Sequence, residues 1–177
     1  MRSVTDYYWE KYGEPARRAQ FVSSEGIHIN IFKWTESQTD EGVAIYATQG
    51  SVNTLCEANE CCEFFIGIAP DVDEIIDALA EVALHGNGRN NVPNSGDTIT
   101  LASTLWNGTQ AKSFMFTNGD EIMPPLINGM KHISFIQLVP LFEAEMEYKK
   151  EMGESALWEK FEEENVPYWN SSRSSSF

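Results

Sequence analysis

Three histidines, three cysteines and a run of acids are the groups in this chain with chemistry to offer. A general base or nucleophile works only beside a partner that activates it. His28 falls inside a strand-like run, His85 at the end of a helical run and His132 ahead of another strand, with no shared motif. His85 has a structural use, because a cation at a helix C-terminus meets the negative end of the helix dipole. The cysteines, Cys56, Cys61 and Cys62, are odd in number and two are adjacent, which is no disulfide framework. Their C-x4-C-C spacing, with each histidine isolated, does not make a zinc site either. They read as buried, reduced thiols. The D-V-D-E run at 71–74 resembles an acidic metal pair, but in a first helical turn such acids match the positive dipole end. No G-x-S-x-G, H-E-x-x-H, phosphate-loop or EF-hand pattern occurs, and the G-x-G after His85 stands alone. The sequon-like triplets at Asn107 and Asn170 matter only in a secreted chain. The expectation is a protein without catalytic residues, cofactor or metal. The enzymatic alternative is a hydrolase using a carboxylate pair that matches no known motif.

Binding has more material. The chain carries 27 acids against 12 bases, a net charge of −15. Twelve of the acids and a single base, Lys33, fall between Ala19 and Gly88, and nine acids with three bases between Leu141 and Asn165. Such a field repels nucleic acid and anionic membranes and speeds encounter with a basic protein. Asp73, Glu74, Asp77 and Glu81 lie at the start and along one face of a helical run, where charges are held at fixed spacing. They are the candidate partner-binding residues. The competing reading, for these and for the acids around Glu57, Glu60 and Glu159–Glu164, is a solvated face that confers solubility.

The elements that must carry these residues are legible as periodicities. Ser3 and Gly13 bracket a short amphipathic helix with Val4, Tyr8 and Tyr12 four apart. "ARRAQFVS" and "IHINIFKW" read as strands, the second with Ile27, Ile29 and Ile31 in alternation. A polar, Gly-ended link to "VAIYATQG" predicts an antiparallel hairpin. The apolar "CCEFFIGIA" follows, then the clearest helix, "PDVDEIIDALAEVALHG". Pro70 stands near its start, Val72, Ile75, Ile76, Leu79, Val82 and Ala83 form the apolar stripe, and Gly86 ends it. After a turn-rich Asn/Gly/Pro loop come three strand-like runs, "ITLAS", "AKSFMFT" and "HISFIQLVP". Two helices close the chain, one ending at Gly153 and one capped by Ser155. Leu157 and Phe161 should be buried in the second, with Glu159, Glu162 and Glu163 in water. Strands, a central helix, strands and a helix pair give an α+β fold with a mostly antiparallel or mixed sheet. Residues 1–169 read as one domain and the serine-rich 170–177 as a disordered tail. No 18-residue apolar run and no apolar N-terminal segment occur, so the expected compartment is the cytoplasm.

In order, the segments resemble the suppressor of fused domain family, most closely its small bacterial members. The resemblance runs roughly from Glu14 to Glu154. It rests on the "ATQGS" step at 47–51, the acid-aromatic "EFF" at 63–65, the helix "IIDALAEVA" and the loop "HGNGRNNVPNSGDTI". The most specific stretch is "ISFIQLVPLFEAEMEYKKEMGESAL". Gln49 departs from the family, which more often has an apolar residue there. The resemblance implies protein binding without catalysis: eukaryotic members sequester a transcription factor, and stand-alone bacterial members look like immunity proteins or antitoxins that neutralise a polymorphic toxin, often a nuclease. A nuclease is basic where it holds phosphate, so the acidic charge fits such a partner. A regulatory or scaffold module with a non-toxin partner is the other binding reading. The family fixes no partner-contacting residue.

Overall fold

The β2 strand, His28–Trp34, shows why two layers of helix are needed. Ile29 and Ile31 point to one face of the sheet and Phe32 and Trp34 are buried as well, so neither face can stay in water. The computed structural model describes residues 2–177. Its sheet runs in the order β1 (Arg17–Val22), β2, β3 (Ala44–Gln49), β5 (Glu60–Ile68), β9 (Lys131–Leu141), β7 (Ser113–Asn118) and β6 (Thr98–Thr100). Two short strands sit beside this path, β4 (Cys56–Glu57) on β5 and β8 (Leu126–Asn128) on β9. All pairings are antiparallel except β5 with β9, which run parallel with Glu63 opposite Phe135. The sheet is mixed and the fold α+β, as the segment pattern indicates.

Helix α2 (Ile75–His85) covers one face. Its Ile75, Leu79, Val82 and Ala83 pack with Ile29, Ile31, Tyr46, Phe64, Ile66 and Phe116. Helix α1 (Val4–Tyr12) covers part of the other, with Tyr8 against Phe32, Trp34 and Phe135. Ser3 caps α1 by a reciprocal pair with Asp6, and the Gly13 N–H closes it on the Trp9 carbonyl. Farther along that face, α3 (Glu143–Met152) and α4 (Glu154–Glu163) pack on Met115, Val139 and Leu141. Leu157 and Phe161 are buried there, while Glu159, Glu162 and Glu163 face solvent.

Four details differ from the sequence reading. Helix α2 begins at Ile75, because residues 71–72 are irregular and 73–74 form a turn rather than a first helical turn. The residue before α4 is Gly153, with φ +95°, and Ser155 lies inside the helix. Cys56 and Cys61 are bonded to each other, since the two-residue strand β4 folds back on β5 and sets them directly opposite, with Cα atoms 4.1 Å apart. Only Cys62 is a buried free thiol. The serine-rich end, expected to be disordered, packs on the body. Arg173 buries its guanidinium against the Glu145 carboxylate at 2.6 and 3.0 Å and donates to the Pro140 carbonyl, over the rings of Phe142 and Phe161. One arginine thus ties the tail to the body through contacts that composition conceals.

Candidate protein-binding surface

Glu63, the acid of the "CCEFF" strand, is wholly enclosed. Its carboxylate accepts from Thr48 Oγ1 at 2.7 Å, from the Gly50 N–H at 2.7 Å, and from the Ser51 and Val52 N–H groups at 3.3 Å each. Thr48 Oγ1 in turn accepts from the Phe64 N–H at 2.9 Å. Burial pushes the Glu63 pKa up, against the pull of these donors. The "ATQGS" step is therefore a carboxylate cradle: β3 ends at Gln49, and the short 3-10 turn Ser51–Asn53 offers its free N–H groups to a strand two positions away in the chain order. Gly50 must be glycine here. Its φ is +130°, and a Cβ would lie 2.4 Å from the His28 carbonyl oxygen. The arrangement joins β3 to β5 from within and presents no group to a substrate.

A second network ties the α2 entry to the sheet. Lys33 Nζ, itself buried, holds Asp71 and Asp73, the latter at 2.5 Å. Asp73 also accepts from Tyr46 Oη at 2.8 Å and pairs with Arg17 at 2.5 Å. The Lys33 hydrogen bond holds the Asp73 pKa below the ordinary carboxylate range. For Lys33, burial pulls the pKa down but the two aspartates outweigh it and leave it raised. Burial, followed by the Asp73 hydrogen bond, drives the Tyr46 phenol pKa upward. Of the four candidate binding residues, Asp73 thus has both carboxylate oxygens engaged inside the molecule. Glu74, Asp77 and Glu81 are exposed on one side of α2, spaced three and four apart, with no ion pair among the described residues.

The histidines stay apart. His132 Nδ1 lies 2.7 Å from Glu60 on the exposed end of β5, and His85 Nδ1 lies 3.4 Å from Asn90 Oδ1. No group of three His, Cys, Asp or Glu residues that could hold a metal occurs among the described residues. No helix among them is long and apolar enough to cross a membrane.

A mixed sheet of this strand order, with α2 on one side and α1 and the α3–α4 pair on the other, defines an α+β domain. The model of the suppressor of fused protein family matches residues 25–174. The chain belongs to that family. No curated protein matches it. A crystal structure described as a SUFU homologue from Neisseria gonorrhoeae superposes with a TM-score of 0.72 at 18% identity, covering 98% of this chain and 94% of that one. The Sufu–Fu complex gives 0.70 at 13% identity, over 98% and 91%. Drosophila Suppressor of Fused gives 0.74 at 12% identity, and 99% of this chain corresponds to 50% of the Drosophila chain. The match to 174 takes in Asn170 and Arg173, whose contacts the Ser-rich composition hid. The sequence signal for them was the lone arginine within the serines.

Proposed function

We propose that this protein is a non-catalytic binding domain that acts as an immunity protein or antitoxin, neutralising a cognate toxin by steric and electrostatic association. The observation that carries the reading is the exposed acidic face of α2. Asp77 and Glu81 stand on the outer side of α2 and Glu74 in the turn that opens it, with no ion pair among the described residues, on a chain of net charge −15. Such a face favours encounter with a basic domain, the charge a nuclease toxin presents toward phosphate. Asp73 contributes at the base of the same face by holding the α2 entry in place through Lys33. Membership in a family with a member solved as a Sufu–Fu complex supports protein binding as the activity.

The test is co-expression with each candidate toxin domain that sequencing of the flanking genes reveals. Neutralisation predicts a stable co-purifying complex and survival of cells that the toxin alone kills. Killing unchanged by this protein overturns the reading. A complex with a non-toxin regulator and no effect on any adjacent toxin would favour the regulatory-module reading instead.

A further inference from the structure

A cleft of about 820 Å³ opens where β3 begins and β5 ends, between the turn at 35–37, Ala44, the 68–71 segment and Trp169. Trp169 is 44% exposed there, a large indole kept in solvent. Its backbone is held in place. The Ala69 N–H donates to the Trp169 carbonyl at 2.9 Å, the Ser171 N–H donates back to the Ala69 carbonyl at 3.1 Å, and Ser171 Oγ donates to the Pro70 carbonyl at 2.6 Å. The ring stands edge-to-face on Tyr168 at 5.1 Å. The backbone that carries the indole is thus held in place before any ligand arrives, which lowers the ordering cost of using it.

The cleft also holds carboxylate capacity that the protein leaves unused. Glu36 has neither an ion pair nor a side-chain hydrogen bond among the described residues. Asp71 binds Lys33 through Oδ2, while its Oδ1 accepts no hydrogen bond there. No Lys, Arg or His lines the cleft. An exposed indole in one cleft with unused carboxylate oxygens suits a planar guanidinium, which stacks on the ring and donates N–H groups sideways. A lysine ammonium is a compact, strongly hydrated charge that cannot stack, and a phosphate would meet only acids.

We infer that this cleft is a subsite for an arginine side chain of the protein partner, an inference that rests on reading that partner as basic. Asp71, on the cleft wall, stands four residues before Ile75, where α2 starts.

The test needs no toxin. Hexa-arginine amide is titrated into 15N-labelled protein while the five indole N–H signals are followed, that of Trp169 being assigned by its loss in Trp169→Phe. Hexa-lysine and hexa-citrulline serve as controls, the second keeping the planar group without the charge. A saturable shift of the Trp169 indole with hexa-arginine, weakened roughly three- to tenfold for hexa-lysine, is expected. Glu36→Gln should weaken hexa-arginine binding at this signal by a few-fold, since it removes charge but not shape. A silent Trp169 indole, an equal shift with hexa-citrulline, or a shift unchanged in Glu36→Gln overturns the subsite. If the adjacent toxin later proves not to bind, the peptide result still stands or falls alone. If the toxin binds equally well to wild type and Trp169→Ala, the toxin reading survives and the subsite does not.

Discussion

Gly50 and Arg173 show how single residues hold this fold from inside. At Gly50 an alanine would meet both an unfavourable φ of +130° and the His28 carbonyl oxygen, 2.4 Å from its Cβ. Either the 3-10 turn shifts and the Glu63 carboxylate loses N–H donors, or β2 moves. Gly50→Ala should therefore lower stability by about 1–3 kcal/mol, read from the urea midpoint at unchanged m-value. An unchanged midpoint would mean that the cradle adapts freely. Arg173 pairs with Glu145, which is 0% exposed. Removing one partner of a buried pair strands the other charge, so Arg173→Ala should cost about 3–5 kcal/mol. Arg173→Met with Glu145→Leu should recover much of that, because the pair contributes mainly by being complete. A single variant as stable as wild type would show that residues 170–177 are peripheral after all.

At the scale of elements, what was legible is what repeats along the chain. The α1 boundaries followed from Ser3 and Gly13, and the α2 stripe from Ile75, Leu79, Val82 and Ala83, because cap and period are local properties. The seven strands of the main path each overlap a run that reads as a strand. What was hidden depends on partners distant in sequence. β4 and β8, of two and three residues, carry no periodicity, and the Cys56–Cys61 bond exists only because β4 turns back on β5. The α2 start was misplaced because Asp71 and Asp73 read as dipole-matching acids, whereas Lys33, some forty residues away, draws them out of the helix. The exposed acids of α2 were visible as a charge pattern, and the Trp169 cleft was not, since it joins four separated segments. Helix α4 allows a direct check of the burial so inferred. Phe161 packs on the β7–β9 face with Trp158 and Tyr168 at its edges. Phe161→Ala should cost about 3–5 kcal/mol, a fall in Tm of roughly 6–20 °C. A melting curve like that of wild type would mean that α4 is not part of the cooperative unit.

For the whole molecule the governing quantity is charge. At −15 the chain repels itself as well as nucleic acid, and only part of that charge is committed internally, through the Lys33, Arg17 and Arg173 pairs. The uncommitted acids act at a distance, so their effect belongs to the approach of a partner more than to the strength of the final contact. With a basic toxin domain, association should be fast at low salt and slow down as ionic strength shortens the Debye length to about 10 Å at 0.1 M, while dissociation changes much less. Asp77 and Glu81 sit four apart on the outer face of α2, off the buried stripe, so reversing both to Lys leaves the packing of Leu79 and Val82 untouched. The double variant should melt as wild type does, and its association rate at low salt should fall by about tenfold, with the salt dependence flattened. A stopped-flow comparison against the toxin domain measures both. Unchanged association and full protection of cells by the double variant would make α2 a solubility surface and move the partner elsewhere. A lower rate confined to low salt would assign this face to steering. Faster dissociation would instead place Asp77 and Glu81 inside the contact.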